Sequence, residues 1–336
     1  MMFTSNDYVP PYSITNQMVT SIASISDKIG RISVTNDLEN KPHLRRSNRI
    51  RSIHSSLKIE ANSLSIGEVK AVIDGKTVFG QKNDIQEVKN AYAAYEQIAN
   101  INPYDLDQLK QLHGVMTRYL INESGTFRRG NVGVFDGERC IFTAPPPDLV
   151  PHHMENLFQW MQRSKDIVHP LILSSVFHYE FIFIHPFADG NGRMARLWHT
   201  ALLTQWKSIF QYIPLESQIE KFQSEYYAVI DSCNHVGDST KFIEFMLLQI
   251  DKVLAESMTQ SETNTEQLSE EIVSLLNVMD YDTPYSRQTL MAYLGLSSTA
   301  NFRKKYLEPA MQLNLIRMTI PDKPTSRNQR YIKNSF

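Results

Sequence analysis

Cysteine is scarce: Cys140 and Cys233 are the two thiols in 336 residues. Two thiols build no disulfide framework and lack the companions that a structural zinc site needs, so the usage predicts a reducing, cytoplasmic setting. Long apolar runs are missing as well. The richest stretch, residues 171–187, is interrupted by His178, Glu180 and His185, short of the ~18 consecutive apolar residues of a membrane span. The first residues show no cationic start followed by an apolar run, so neither a secretory leader nor a membrane anchor is expected. No internal repeat is visible. What is present, 42% apolar and 21% charged residues, describes a core-forming chain of about two domains at ~150 residues each.

Charge of one sign is also lacking overall, with 34 basic against 36 acidic residues and a net charge of −2. That balance conceals an asymmetry. Residues 251–300 carry eight acids and two bases, and residues 301–336 carry eight bases and two acids. Such a swing predicts a separate C-terminal module with a basic face.

Apolar spacing predicts a mainly α protein. Ile14, Met18, Ile22, Ile25 and Ile29 recur at helical spacing and close near Gly30; a second helix is expected from His43 to Glu60. Ser65 with Glu68 is a capping-box pattern for a third helix through Ile73. Further helices are expected over 84–99, 105–120, 148–164, 170–184, 192–207, 217–232 and 240–255. Between them GVFDGERCIF, residues 133–142, places Asp136-Gly137 between two short apolar runs, which reads as a hairpin. The polar run MTQSETNTEQ, residues 258–267, reads as a linker. Short helices, a helix-turn-helix pattern and a terminal hairpin follow, the order of a winged helix. The organisation expected is therefore an N-terminal helical cap (1–80), a helical core (81–258), a linker (259–267) and a winged-helix-like module (268–336).

The chemistry concentrates in residues 185–196, HPFADGNGRMAR. A helix beginning at Gly192 aims free backbone N–H groups and the positive end of its dipole at the preceding loop, which makes an anion cradle. Gly190 and Gly192 let a ligand approach the backbone, and Asn191 can add its amide. Arg193 and Arg196, three apart, share a helix face suited to gripping a polyphosphate. Asp189 offers one hard carboxylate for Mg²⁺. His185 can accept a proton near neutral pH. Gly190 to Ala195 also satisfies G-x-G-x-x-A, but that fingerprint needs a preceding strand and an acid ~20 residues on. Residues 181–184 continue a helical run, and the first acid after Arg196 is Glu216.

These twelve residues match H-x-F-x-[DE]-G-N-G-R-x-x-R at every specified position, and the chain resembles the Fic family there. The coincidence probability is on the order of 10⁻¹⁰ per start position. The resemblance extends to Gly125-Thr126-Phe127-Arg128, the hairpin, Tyr226-Tyr227 and Phe242-Ile243-Glu244-Phe245, spans about residues 80–255, and is similar in its flanking modules to longer bacterial Fic proteins. It implies a Fic-type helical bundle with a hairpin flap, and transfer of AMP from ATP to a Tyr, Thr or Ser hydroxyl of a target protein. It further implies His185 as general base, Asp189 as Mg²⁺ ligand, Gly190, Asn191 and Gly192 as the cradle, and Arg193 and Arg196 on the polyphosphate, Arg196 at the γ-phosphate. Doc-type kinases of the same kind carry lysine where this chain has Gly192, which favours AMP transfer over phosphoryl transfer. The flap, with Gly133, Val134, Phe135, Cys140, Ile141 and Phe142, is expected to dock the protein substrate by strand pairing; an ordinary surface hairpin is the alternative.

Ser56 and Glu60 in SLKIEAN resemble the inhibitory-helix pattern [ST]-x-x-x-E-[GN], with Ala61 where Gly or Asn is usual. The resemblance implies that Glu60 occupies Arg196 and brakes transfer, and that in some members the same carboxylate positions water to remove AMP. Family resemblance also implies self-association through the core. Five bases between Lys41 and Arg51 read as a solvated helix face rather than a nucleic-acid site. In the C-terminal module Arg303, Lys304, Lys305, Lys323, Arg327 and Arg330 have a layout compatible with DNA phosphates. The alternatives therefore stay open: a winged-helix DNA-binding regulator with a nucleotide-sensing core, or a Doc-type phosphotransferase.

Overall fold

The computed structural model describes residues 8–35, 42–136, 139–267, 269–279, 283–313, 315–324 and 326–334. They form two compact units, Met1–Glu39 with Asn48–Ala255, and Asn40–Ser47 with Glu256–Phe336. Most of the first 80 residues fall in the same unit as the core.

The first helices are α1 (Asn16–Thr35), α2 (Pro42–Ile59), which lies in the larger unit from Asn48 on, and α3 (Ile66–Ile73). Gly30 does not end α1, since an interior glycine costs a helix only about 1 kcal/mol and no proline follows. The start of α3 is as its sequence dictates: the Ser65 hydroxyl accepts from Glu68 N–H while the Glu68 carboxylate accepts from Ser65 N–H. Next come α4 (Lys82–Tyr95), α5 (Leu106–Met116), the hairpin β1 (Gly133–Asp136) and β2 (Arg139–Thr143), then α6 (Val150–Ser164). The hairpin is antiparallel with an irregularity between Val134 and Phe135. Its turn residues 137 and 138, and the side chains of Val134, Phe135, Cys140, Ile141 and Phe142, lie outside what is described.

The centre is the pair α7 (Pro170–Ile184) and α8 (Asn191–Trp206). Leu171 to Phe181 is buried without interruption, so this part of α7 presents no face to solvent. Helices of this kind sit inside a bundle rather than on its surface. Trp198 of α8 is fully buried, and its indole N–H donates to the Pro103 carbonyl at 3.0 Å. Sequence spacing suggests one helix over 217–232; instead α9 (Leu215–Lys221) and α10 (Gln223–Val236) meet at Phe222, whose φ of −116° and ψ of 37° leave the helical region. The next helix, α11 (Thr240–Gln267), lies in the larger unit as far as Ala255 and runs on through the stretch expected as a linker. No Gly or Pro stands between 240 and 267 to stop it, and polarity alone does not break a helix.

The second unit holds α12 (Glu270–Asn277), β3 (Pro284–Tyr285), α13 (Arg287–Tyr293), α14 (Thr299–Phe302), a π-type turn (Arg303–Leu307), α15 (Glu308–Gln312), β4 (Ile316–Met318) and β5 (Tyr331–Lys333). The strands form an antiparallel sheet in the order β3-β5-β4. Leu275, Leu290, Phe302, Leu307 and Ile316 fill its core. Lys333 points inward, and its ammonium donates to the carbonyls of Leu276 at 2.6 Å and Met279 at 3.2 Å at the end of α12. Among the described residues no helix is long and apolar enough to cross a membrane.

One buried acid sits on α7. The Tyr8 hydroxyl donates to Glu180 Oε2 at 2.6 Å, yet burial raises the Glu180 pKa from 4.5 to about 7. Between those two values the folded chain keeps a proton that the unfolded chain has released, so this residue's destabilising effect grows as pH rises and is complete above pH 7. Glu180→Gln is accordingly expected to stabilise the protein by roughly 1–3 kcal/mol more at pH 8 than at pH 4. Denaturant titrations at the two pH values measure the difference; an equal effect at both contradicts the assignment.

Candidate active site

The loop between α7 and α8 is held by backbone geometry that few residues adopt. α7 ends at His185 in the left-handed region, φ 51° and ψ 58°, and α8 starts at Gly190 with φ 82°. A side chain at 190 would press within 3.0 Å of Thr117 Cγ2, so glycine is required there both for space and for φ.

Three groups fasten this loop. The Asn191 side chain bonds both ways to Phe187, its Nδ2 donating to the carbonyl at 2.8 Å and its Oδ1 accepting from the N–H at 2.9 Å. Its side-chain amide is thus spent on the loop, which corrects the expectation that the amide is free for an anion. His113 of α5, which sequence reasoning missed, accepts from Gly125 N–H at Nδ1 and donates from Nε2 to the Asp189 carbonyl, each at 2.9 Å. Burial draws its pKa down to about 4, and its ring stacks on Phe187 at 3.6 Å. Arg128 is the third: Nε donates to the His185 carbonyl at 2.7 Å.

His185 is half-buried, with Nδ1 3.3 Å from the Ile182 carbonyl. A carbonyl accepts only, so Nδ1 carries the proton and Nε2 keeps its lone pair. Burial lowers the pKa below 6.5, and the nearby Arg128 charge acts in the same direction. The imidazole is therefore neutral at pH 7 and able to take a proton.

Arg196 is 1% exposed at its side chain. Its Nε donates to Ser56 Oγ at 3.1 Å, and Nη2 donates to the Ser56 carbonyl at 2.9 Å and to Glu60 Oε1 at 2.7 Å. Burial opposes the charge, but Glu60, with smaller help from Tyr226 and Tyr95, offsets it and raises the pKa above the ordinary arginine value. The Glu60 carboxylate also lies against Gly192, where an added Cβ would collide with Oε1. It thus occupies the start of α8, beside first-turn N–H groups that no side chain caps. A carboxylate there stands where an anionic ligand of the cradle would sit.

Arg193 is engaged too: Nη1 donates to Glu87 Oε1 and Nη2 to Asp189 Oδ2, each at 2.8 Å. Glu87, on α4, was not foreseen. Its other oxygen accepts from Asn62 at 2.8 Å, which ties the turn after α2 to the second arginine. Both signals are distant in sequence, and nothing in local spacing points to them. Asp189 remains half exposed. Among the described residues no group of three His, Cys, Asp or Glu gathers as a metal cage.

The two units carry matches to two family models: Fic/DOC family over residues 103–203, and the C-terminal domain of Fic-like proteins (filamentation induced by cAMP) over residues 270–332. A solved Fic family protein from Desulfovibrio desulfuricans G20 is 42% identical, covers 97% of this chain and 98% of its own, and superposes with a TM-score of 0.74. The chain belongs to the Fic family. Fic-1 (residues 134–508) of Caenorhabditis elegans, 20% identical over 73% of this chain and 74% of its own with a TM-score of 0.59, shares the fold. A protein adenylyltransferase Fic from Nematostella vectensis is 28% identical over 206 residues, 58% of this chain. The chain spans 45% of the length of that relative.

Ala61, which follows Glu60, has φ 64°. Ala61 N–H donates to the Lys58 carbonyl and Asn62 N–H to the Leu57 carbonyl, at 3.0 and 3.1 Å, the hydrogen bonds of a Schellman turn. This is the position at which the inhibitory pattern carries Gly or Asn, the residues that enter the left-handed region most readily. Ala61→Gly is expected to stabilise the fold by about 1 kcal/mol, read as a rise in the denaturant midpoint; a fall would show that the turn is unstrained.

Proposed function

We propose that this chain is a protein adenylyltransferase held in a resting state by Glu60. The observation that carries the reading is the Glu60 carboxylate on Arg196 over the start of α8, an internal anion in a site shaped for a ligand anion. In this reading the first-turn N–H groups of α8 and Arg196 receive the terminal phosphate of ATP, and Arg193 binds the polyphosphate once it exchanges its carboxylate partners. With Glu60 in place the γ-phosphate has neither its arginine nor its room, so the α-phosphate does not align with His185. When Glu60 withdraws, His185 Nε2 takes the proton of an acceptor hydroxyl. The hydroxyl oxygen then bonds to the α-phosphorus, and the bond to the β-phosphate breaks to release pyrophosphate.

Asp189 fits a magnesium ion, because a single hard, half-exposed carboxylate suits a cation that completes its shell with phosphate oxygens and water. Bound there, Mg²⁺ would neutralise phosphate charge. The β1–β2 edge is the docking strand for the protein acceptor, main chain to main chain. A second reading keeps the same carboxylate: Glu60 is one-third exposed on its side chain, which lets it hold a water for AMP removal.

The C-terminal unit is read as a winged-helix module. A DNA-binding regulator draws less support from it. Arg303 pairs with Glu308 at 2.8 Å, Lys305 lies 3.8 Å from Glu271, and Lys333 is turned into the core. Three of its cations thus already have partners within the module.

Glu60→Gly is expected to raise protein-bound label from α-labelled ATP and Mg²⁺ by an order of magnitude or more. The gain should be lost in the Glu60→Gly, His185→Ala double variant. Label arriving from the γ position instead would mark a kinase and overturn the reading. Because burial holds the His185 pKa below 6.5, transfer by Glu60→Gly protein should be level from pH 8 to 7 and decline only below 6.5; a decline already between pH 8 and 7 contradicts the role of His185 as base. AMP release from a modified protein that persists in Glu60→Ala excludes the removal reading.

A further inference from the structure

Arg128 is 2% exposed, and among the described residues no carboxylate is paired with it. Its fork instead collects main-chain carbonyls from three places. Nε donates to His185 O at 2.7 Å; Nη1 donates to Gly130 O at 2.9 Å; Nη2 donates to Pro145 O at 2.5 Å and Ile184 O at 3.4 Å. Its own N–H donates to Pro186 O at 3.0 Å. Gly130 precedes β1 and Pro145 follows β2, and the hairpin is closed between them by Ala144 N–H donating to Val132 O at 3.2 Å. One buried side chain thus holds both legs of the hairpin and the carbonyl of the residue that carries the imidazole.

We propose that Arg128 is a positioning residue: it clamps the base of the β1–β2 hairpin to the main chain of His185 and so sets the register between an acceptor docked on the hairpin and the base. The clamp is read from the contacts; its effect on rate rests on the adenylyl-transfer reading above. Arginine is required for it. The planar guanidinium presents five donors in fixed, diverging directions, whereas a lysine ammonium offers three from one point. A lysine at 128 can keep the charge but cannot reach Gly130, Pro145 and His185 together, and carbonyls so abandoned in a buried place lose their hydrogen bonds. Burial lowers the Arg128 pKa, and that cost is tolerated where neutral carbonyls surround the charge. The geometric demand is strict because a misplacement of about 1 Å between reacting groups can cost on the order of 100-fold in rate.

The test uses the full chain carrying Glu60→Gly, with and without Arg128→Lys or Arg128→Gln. Three quantities are measured: affinity for ATP and Mg²⁺, label incorporated into protein from α-labelled ATP, and amide hydrogen exchange. The expected result is an affinity within about twofold of the parent and incorporation reduced roughly 10- to 100-fold. Exchange is expected to quicken together at Ala144 and His185, with the amides of α8 unchanged. Unaltered incorporation overturns the proposal. So does an affinity that falls in parallel with incorporation, or failure of both variants to fold, because each marks a merely structural arginine. Glu60→Gly protein that incorporates nothing overturns adenylyl transfer instead. The clamp is then decided by exchange alone, and faster exchange at Ala144 without His185 refutes it.

Discussion

Arg196 is a charge placed where water does not reach, and a buried guanidinium needs compensation. Ser56 supplies a hydroxyl and a carbonyl, but the only carboxylate paired with it among the described residues is Glu60, reaching from the end of α2. That requirement accounts for much of the architecture. It brings α2 against α8, and it explains why residues 48–59 belong to the same compact unit as the core. The turn after α2 must then be tight, which places Ala61 in the left-handed region. The buried arginine at the start of α8 therefore comes with its own internal anion, and the pair is packed against the hydroxyl and carbonyl of Ser56.

The loop over the cradle is prepared in the same way. Its backbone polar groups are taken up by Asn191, His113 and Arg128, none of which needs to touch a ligand to matter. Stacking of His113 on Phe187 fills the space behind the loop, and Gly190 allows the close approach of Thr117. Groups held by several contacts at once do not have to be reorganised when a substrate arrives, which is how a site delivers positioning and charge neutralisation. For attack at phosphorus these are the main demands on the protein.

Family membership agrees with this picture without supplying it. The relative from Nematostella vectensis is matched over 206 residues, whereas the bacterial structure is matched over nearly the whole chain. Shared between this chain and that structure are the regions on either side of the core, including the unit from Glu256 onwards. In that unit several bases are already bound to acids or to helix-end carbonyls: Arg303 pairs with Glu308 inside the segment, and the +6 balance of residues 301–336 in the sequence is partly offset in space by Glu271, 3.8 Å from Lys305.

Local chemistry alone determined a good deal. The Ser65–Glu68 capping box starts α3, the apolar-rich run makes α7, the two short apolar runs around residues 136–137 form β1 and β2, and residues 185–196 carry the candidate site with its helix start. Each of these depends on neighbours within a few residues, where covalent geometry and hydrogen bonding leave few choices. What only the tertiary structure decided depends on groups far apart in sequence. Glu87 lies 106 positions from Arg193, and His113 lies 76 from Asp189. Asn191 turned inward because Phe187 offered two main-chain partners, and the polar stretch 258–267 stayed helical because nothing in it stops a helix. Glu60 and Arg196 stand between these cases. Their identities were legible as a pattern, but the pairing itself is a matter of burial: two opposite charges 136 positions apart meet because one of them has no water.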